Sequence, residues 1–314
     1  MDGPTGELPN ARSSTGAAAP RAFAPSPIML ALTGVFMGCI LDAMIKHLGA
    51  SYSVILVAFM RYAFGTLIAG AAVLTLRKTL PNAKGIRAHA IRAIALTGSA
   101  TLFFYSLQKL PIAEATVLIF CAPLMVAPLG RWILKEKLRP FAMAGLAVGF
   151  LGVIIAVQGT PPGAETSERL FGILAGVAAS TLYALSIVLL RQLAQKDDVL
   201  VTAFFGNIFP ALYLLIPTVI LGAAPRLADI PAFAFTGLAG FTLWFMLTHA
   251  YSRAPVQRLA ATEYTALIWS ALLGYFFFSE VPRIQLWIGA ILVVLAVMVA
   301  AWDGKRADVP PTTG

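Results

Sequence analysis

Ionisable and aromatic side chains set inside long apolar stretches are where this sequence could do chemistry. Asp42 and Lys46 lie four apart in LDAMIK, one helical turn, with the acid N-terminal, which is the favourable order for an ion pair along a helix. Arg61 follows in FMRY at a comparable depth, about 12 Å into its stretch at about 1.5 Å per residue. Glu263 stands in RLAATEYTALIW with no basic residue in the turn that follows, and His249 closes the preceding apolar stretch at a similar depth. A charge near a bilayer centre costs a few kcal/mol or more, so each of these groups needs a partner or a task. Asp42, Lys46 and Arg61 fit either a structural ion cluster or contact with substrate, and Lys46 also fits snorkelling to the interface. Glu263 fits proton coupling or a cationic substrate group, or else a plain hydrogen bond to Arg258, Tyr264 or a neighbouring helix. Tyr105, Tyr183, Trp244, Tyr264 and Trp269 offer flat apolar faces with polar handles, suited to a cavity wall or to interfacial belts. Pro123 removes an amide donor inside an apolar run, which either kinks a helix beside a cavity or is repaired by neighbouring helices.

These residues must be held by membrane helices. Of 314 residues, 59% are hydrophobic and 12% charged, with a mean hydropathy of +0.83. A soluble core cannot absorb that much apolar surface. The stretches reach the roughly 20 residues a helical crossing requires, and the short alternating segments of a β-barrel are absent. The pattern predicts ten spans, at 28–47, 53–76, 91–109, 113–134, 140–158, 171–191, 199–222, 231–252, 257–278 and 283–302. Residues 1–27, rich in Pro, Gly, Ala and Ser and without a signal-peptide core, read as a disordered cytoplasmic tail; 159–170 read as a linker and 303–314 as a second tail.

Ten spans put both termini on one side. That side holds most of the 23 lysines and arginines, among them Arg92, Arg131, Lys135, Lys137 and Arg139, so the termini are expected in the cytoplasm of a cell whose inner membrane holds the chain. The net charge of +9 is thereby accounted for without a nucleic-acid partner. Cys39 and Cys121 fall within spans and suit packing better than a disulfide or metal. No HExxH, CxxC, P-loop or GxSxG spacing occurs, so no enzyme, cofactor or metal site is expected.

An internal repeat organises the spans. Displaced by 144 positions, PIAEATVLIFCAPLMVAPLGRWILKEKLR overlies PVQRLAATEYTALIWSALLGYFFFSEVPR without a gap, matching Pro111 to Pro255, Leu129-Gly130 to Leu273-Gly274, Glu136 to Glu280 and Arg139 to Arg283. Five spans per copy invert the second copy, and its loop has exchanged the lysines of KEK for Ser279 and Val281, as the orientation rule demands. The fold expected is therefore all-α and integral to the membrane, with ten helices as two inverted five-helix repeats, 28–158 and 171–302.

Ten spans in two halves, Ala122-Pro123 in the fourth span, Glu136 and Glu280 after the fourth and ninth, and the Gly-rich GLAVGFLGVIIAV echoed by GAILVVLAVMVA resemble the drug/metabolite transporter superfamily in its EamA-type branch, as do LDAMIK and FMRY. The ninth span departs from that pattern with Ala266-Leu267 where a proline often stands, which predicts that the two halves bend differently. The resemblance implies a secondary transporter of a small organic metabolite working by alternating access, an exporter in the first reading. An uptake carrier for a vitamin or nucleoside-like solute, or a receptor or channel that carries nothing, stays open. It also implies a route lined by spans one, three, four, six, eight and nine, which leaves Asn207 in the seventh to packing. Glu114, at the start of the fourth span, complements a helix dipole. The partners expected are a substrate, the lipid bilayer and protons, with room for a homodimer.

Overall fold

The computed structural model describes residues 26–135, 140–158, 166–193, 197–222, 224–253, 259 and 262–306. They form α1 (Pro27–Gly49), α2 (Val54–Thr75), α3 (Ala83–Lys109), α4 (Ile112–Ile119), α5 (Ala122–Leu134), α6 (Pro140–Ala156), α7 (Thr166–Leu193), α8 (Val199–Ile220), α9 (Ile230–Tyr251), α10 (Thr265–Phe278) and α11 (Ile284–Arg306), with one 3-10 turn at Leu227–Asp229. Seven stretches are long and apolar enough to cross a membrane, the α4–α5 pair counting as one, and three shorter apolar helices bring the described spans to ten. The chain is thus an all-helical membrane protein of two five-span halves. Residues 1–25, 159–165 and 307–314 of the expected tails and linker, together with Glu136 and Arg258, lie outside the described residues.

Side chains set several helix starts. Ser26, Ser53 and Asn82 each accept a backbone N–H two or three residues into the helix they open, each such cap contributing about 1 kcal/mol. The Asn82 cap starts α3 eight residues before the expected 91, so its first turns carry Lys84 and Arg87 below the apolar run. Similarly α7 begins at Thr166 rather than 171.

The fourth and ninth spans are each broken, at equivalent places. Pro123 cannot donate to the Ile119 carbonyl, so α4 ends at Ile119 and α5 restarts with Pro123 in its first turn, where a proline is harmless. The ninth span has no proline and was expected to bend differently. Instead Tyr264 leaves the helix between Glu263 and α10, 144 positions after Phe120. Hydroxyls help there: Thr262 Oγ1 donates to the Leu259 carbonyl and Thr265 Oγ1 to the Thr262 carbonyl, both at 2.6 Å, an alternative to the helical ladder. The spans also end alike, with Lys135 and Ser279 both left-handed at φ 56°.

The strongest pairings join one half to the other: α6 with α11, α3 with α7, α2 with α8, and α1 with α9. In lipid such contacts rest on close packing rather than on burial from water. At the α6–α11 crossing, a Cβ on Gly152 would lie 2.8 Å from the Gly289 carbonyl oxygen and one on Gly289 would lie 2.3 Å from that of Gly152, so backbone meets backbone. The face where α1 starts and α11 ends is the termini face; the other is the opposite face.

Candidate functional site

Arg61 is the pivot of the site. On α2 it is 7% exposed, and three helices shape its seat. Gly240 of α9 gives it room, since a Cβ there would come within 2.7 Å of Nη2. Asn207 of α8 donates to the Ala203 carbonyl at 2.7 Å, which turns its Oδ1 to accept from Arg61 Nη1 at 3.4 Å. The guanidinium carbon lies 4.2 Å from the centre of the Tyr62 ring, a cation–π contact. Among the described residues Arg61 Nε has no hydrogen-bond partner.

Arg92 of α3, also 7% exposed, donates from Nε to the Ser186 carbonyl of α7 at 3.3 Å. Both arginines line one cavity of about 240 Å³ between α2, α3, α8 and α9. It runs from Arg61 and Gly240 near mid-membrane to Asp197, Val199 and Thr248 at the termini face, with Phe241, Trp244 and Phe245 along one wall. At the mouth, Asp197 stands 3.0 Å from His89 Nε2.

A second cluster gathers at the broken spans. Tyr251 of α9 donates its hydroxyl to Glu263 Oε1, and Tyr183 and Tyr264 lie within electrostatic reach of the same carboxylate. Tyr183 is also within reach of Arg92 and Tyr62, which links the cluster to the cavity. The Phe120 and Tyr264 rings meet edge to face with centroids 5.7 Å apart, so the two breaks touch.

On the opposite face ion pairs tie neighbouring elements together. Lys46 Nζ stands 2.7 Å from Glu280 Oε1 and donates to the carbonyls of Leu107, at 2.9 Å, and Leu110. The other oxygen of Glu280 accepts the Ile112 N–H of α4 at 2.8 Å. Glu114 pairs with Arg169 at 2.8 Å, and Arg169 donates to the Val157 carbonyl at 2.9 Å. Glu114 is therefore a charge partner as well as an acid in a first helical turn.

Set against the sequence, the site is partly regrouped. Tyr183 and Tyr264 lie within electrostatic reach of Glu263, none of the three lines the arginine cavity, and Trp244 does line it. Neither Lys46 nor Arg61 pairs with Asp42: among the described residues Asp42 makes no ion pair within 4.0 Å, although Arg61 is within electrostatic reach. The long Lys46 side chain runs past its own helix to Glu280, where backbone carbonyls solvate it as well. His249 stays apart from Glu263, with its ring 4.3 Å from that of Phe245. Trp269 packs edge to face on Phe36 at 4.8 Å with its buried Nε1 unpartnered. Pro123 is exposed at the α5 start, and Tyr105 is partly buried on α3 without a hydrogen bond among the described residues. Two residues had been assigned elsewhere: Arg92, counted only as a termini-side charge, and Asn207, assigned to packing. A cavity lined by α2 and α8 departs from the route that the resemblance implied.

Known proteins resemble most of the chain. A model of the EamA-like transporter family matches residues 25–158 and again 170–302. An uncharacterized transporter of Helicobacter pylori is 28% identical over 69% of this chain and 74% of its own. An S-adenosylmethionine uptake transporter of Rickettsia bellii is 25% identical over 85% of this chain and 90% of its own, and a pseudopaline exporter of Pseudomonas aeruginosa is 23% identical over 86% and 94%. A protein crystal structure, 22% identical, superposes with a TM-score of 0.60 over 90% of this chain and 99% of that one, and so shares the fold.

Proposed function

Because the chain belongs to the EamA-like transporter family, and so is a membrane transporter, we propose that it is a secondary carrier moving a small organic metabolite outward across the bacterial inner membrane by alternating access. The observation that carries the direction is the cavity. It runs from mid-membrane to the termini face, which the positive-inside rule assigns to the cytoplasm, while a buried and a half-buried ion pair tie the elements of the opposite face together. A carrier resting in this form loads from inside. Similar proteins include both an uptake transporter and an exporter, so kinship alone leaves the direction open.

Glu263 is assigned to proton coupling. Its carboxylate sits one residue before the break of the ninth span, held by Tyr251. A proton gained or lost there changes charge where the helix is already interrupted. The remaining buried charges serve binding and closure, and none is assigned to catalysis.

Protein reconstituted in vesicles of known orientation, with a substrate found by comparing metabolites of cells with and without the gene, tests the reading. Saturable flux stimulated by counter-flow and driven by a proton gradient is expected, with Glu263→Gln keeping counter-flow but losing the gradient's effect. Flux with no saturation or counter-flow would remove the carrier reading. An unchanged pH profile in Glu263→Gln would remove the coupling role, and net flux only inward would reverse the direction.

A further inference from the structure

Two guanidinium groups face one small cavity, and no carboxylate among the described residues pairs with either within 4.0 Å. A guanidinium stays charged at any physiological pH, so burial cannot be relieved by losing a proton. Arg61 has one long bond to Asn207, the Tyr62 ring, and an unpartnered Nε. Arg92 has, among the described residues, one bond to a carbonyl. Asp197, the acid at the mouth, is engaged by His89, and Asp42 is within reach of Arg61 without touching it. The unspent donors point to an anion, and forked N–H donors suit a carboxylate best, by parallel charge-assisted bonds.

The wall opposite is aromatic. Phe241, Trp244 and Phe245, at i, i+3 and i+4 on α9, share a face, and the Phe241 and Phe245 rings lie nearly parallel with centroids 5.8 Å apart. Trp244 remains 39% exposed. At about 240 Å³ the cavity is smaller than the roughly 300–1,000 Å³ of pockets that hold drug-sized ligands, so it suits one ring with a short acid arm.

We infer that the cavity between α2, α3, α8 and α9 binds a small organic carboxylate carrying one flat apolar group, its acid on Arg61, Arg92 and Asn207 and its ring against Trp244. The inference deepens the carrier reading and rests on it for the consequence that the bound acid is moved. Binding itself is measurable without transport.

The test uses the full chain purified in detergent and follows thermal stabilisation and tryptophan fluorescence with four probes: 3-phenylpropionate, its neutral amide, 3-phenylpropylamine, and acetate. Only 3-phenylpropionate should stabilise strongly, with the other three at least about tenfold weaker. Asn207→Asp places a carboxylate of the same shape beside Arg61; it should keep or raise the protein's own melting temperature while weakening 3-phenylpropionate about tenfold or more. Arg61→Gln should abolish binding and Arg61→Lys restore part of it. Equal stabilisation by the amine or amide, no stabilisation by 3-phenylpropionate, or unchanged binding in Asn207→Asp would overturn the inference. Binding without saturable flux would leave the site standing and remove the carrier reading; flux confined to solutes lacking an acid would do the reverse.

Discussion

Ion pairs join helices on both faces of the molecule, but in different surroundings. On the opposite face Glu114 and Arg169 are 8% and 6% exposed, and Glu280 and Lys46 17% and 15%. On the termini face Lys78 and Asp198 are 35% and 37% exposed at the same 2.7 Å separation. An exposed pair contributes at most about 1 kcal/mol, because water already satisfies both charges. A buried pair adds little net stability but penalises its own rupture, since each partner would be left uncompensated. Each face also holds a pair of the other kind, Lys109 with Glu168 at 26% and 54% on the opposite face and His89 with Asp197 at 1% and 13% on the termini face, so the latch is the Glu114–Arg169 and Lys46–Glu280 pairs and not a face as a whole.

The largest effect should come from half a buried pair. Glu114→Ala or Arg169→Ala should each destabilise the protein by about 3–5 kcal/mol, and the double substitution by less than the sum. Unfolding titrations in detergent micelles measure this, and additive losses would show that the two do not act as a pair. Next, Lys46→Met together with Glu280→Gln should loosen the opposite face. Cys39 and Cys121 are both buried and free, so a membrane-impermeant maleimide applied from that side should label the double variant faster than the wild type. Equal labelling rates would mean that this pair does not hold the face shut.

A smaller effect concerns the breaks. Pro123→Ala restores an amide next to the α4 carbonyls, while Thr262→Ala and Thr265→Ala together free the ninth span's carbonyls of their hydroxyl bonds. Each change should leave the fold intact and shift stability by about 0.5–2 kcal/mol, read as a change in melting temperature. The smallest effect belongs to Asp198. The Lys78 hydrogen bond, with the Leu200 N–H also contributing, holds its carboxyl below the ordinary value of 3.8. The carboxylate's contribution is therefore complete above that value and is lost as pH falls through the lowered one. Asp198→Asn should cost less than about 1 kcal/mol at neutral pH and flatten the acid limb of a stability profile. A loss as large as that of Glu114→Ala would erase the contrast between faces.

How far the sequence reached follows from the range of each interaction. Spans, halves and inversion are written in composition, loop charge and the match of Glu136 with Glu280, all of which are local or periodic. Partner choice is not local. Asp42 and Lys46 are one turn apart, yet Lys46 joins a glutamate 234 positions away, because α10 ends beside α1 and presents Glu280 while the end of α3 offers the Leu107 and Leu110 carbonyls. Arg92 reads from the sequence only as a termini-side charge at the edge of the expected 91–109 span; α3 starts at Ala83, which places that arginine well inside the helix and the bundle. The break at Tyr264 was hidden because threonine hydroxyls take the part that a proline plays in the first half.

The glycine crossing of α6 and α11 bears on what can move. Two helices in backbone contact have no side-chain layer to shear, so they travel as one strut. Leu151, Ile154, Ile291 and Leu295 on those helices are at least half exposed and present the strut's flank to the surrounding acyl chains. In the proposed transport cycle the bilayer would grip this keel while the remaining eight spans rock against it, and a change in membrane thickness should press on the keel first.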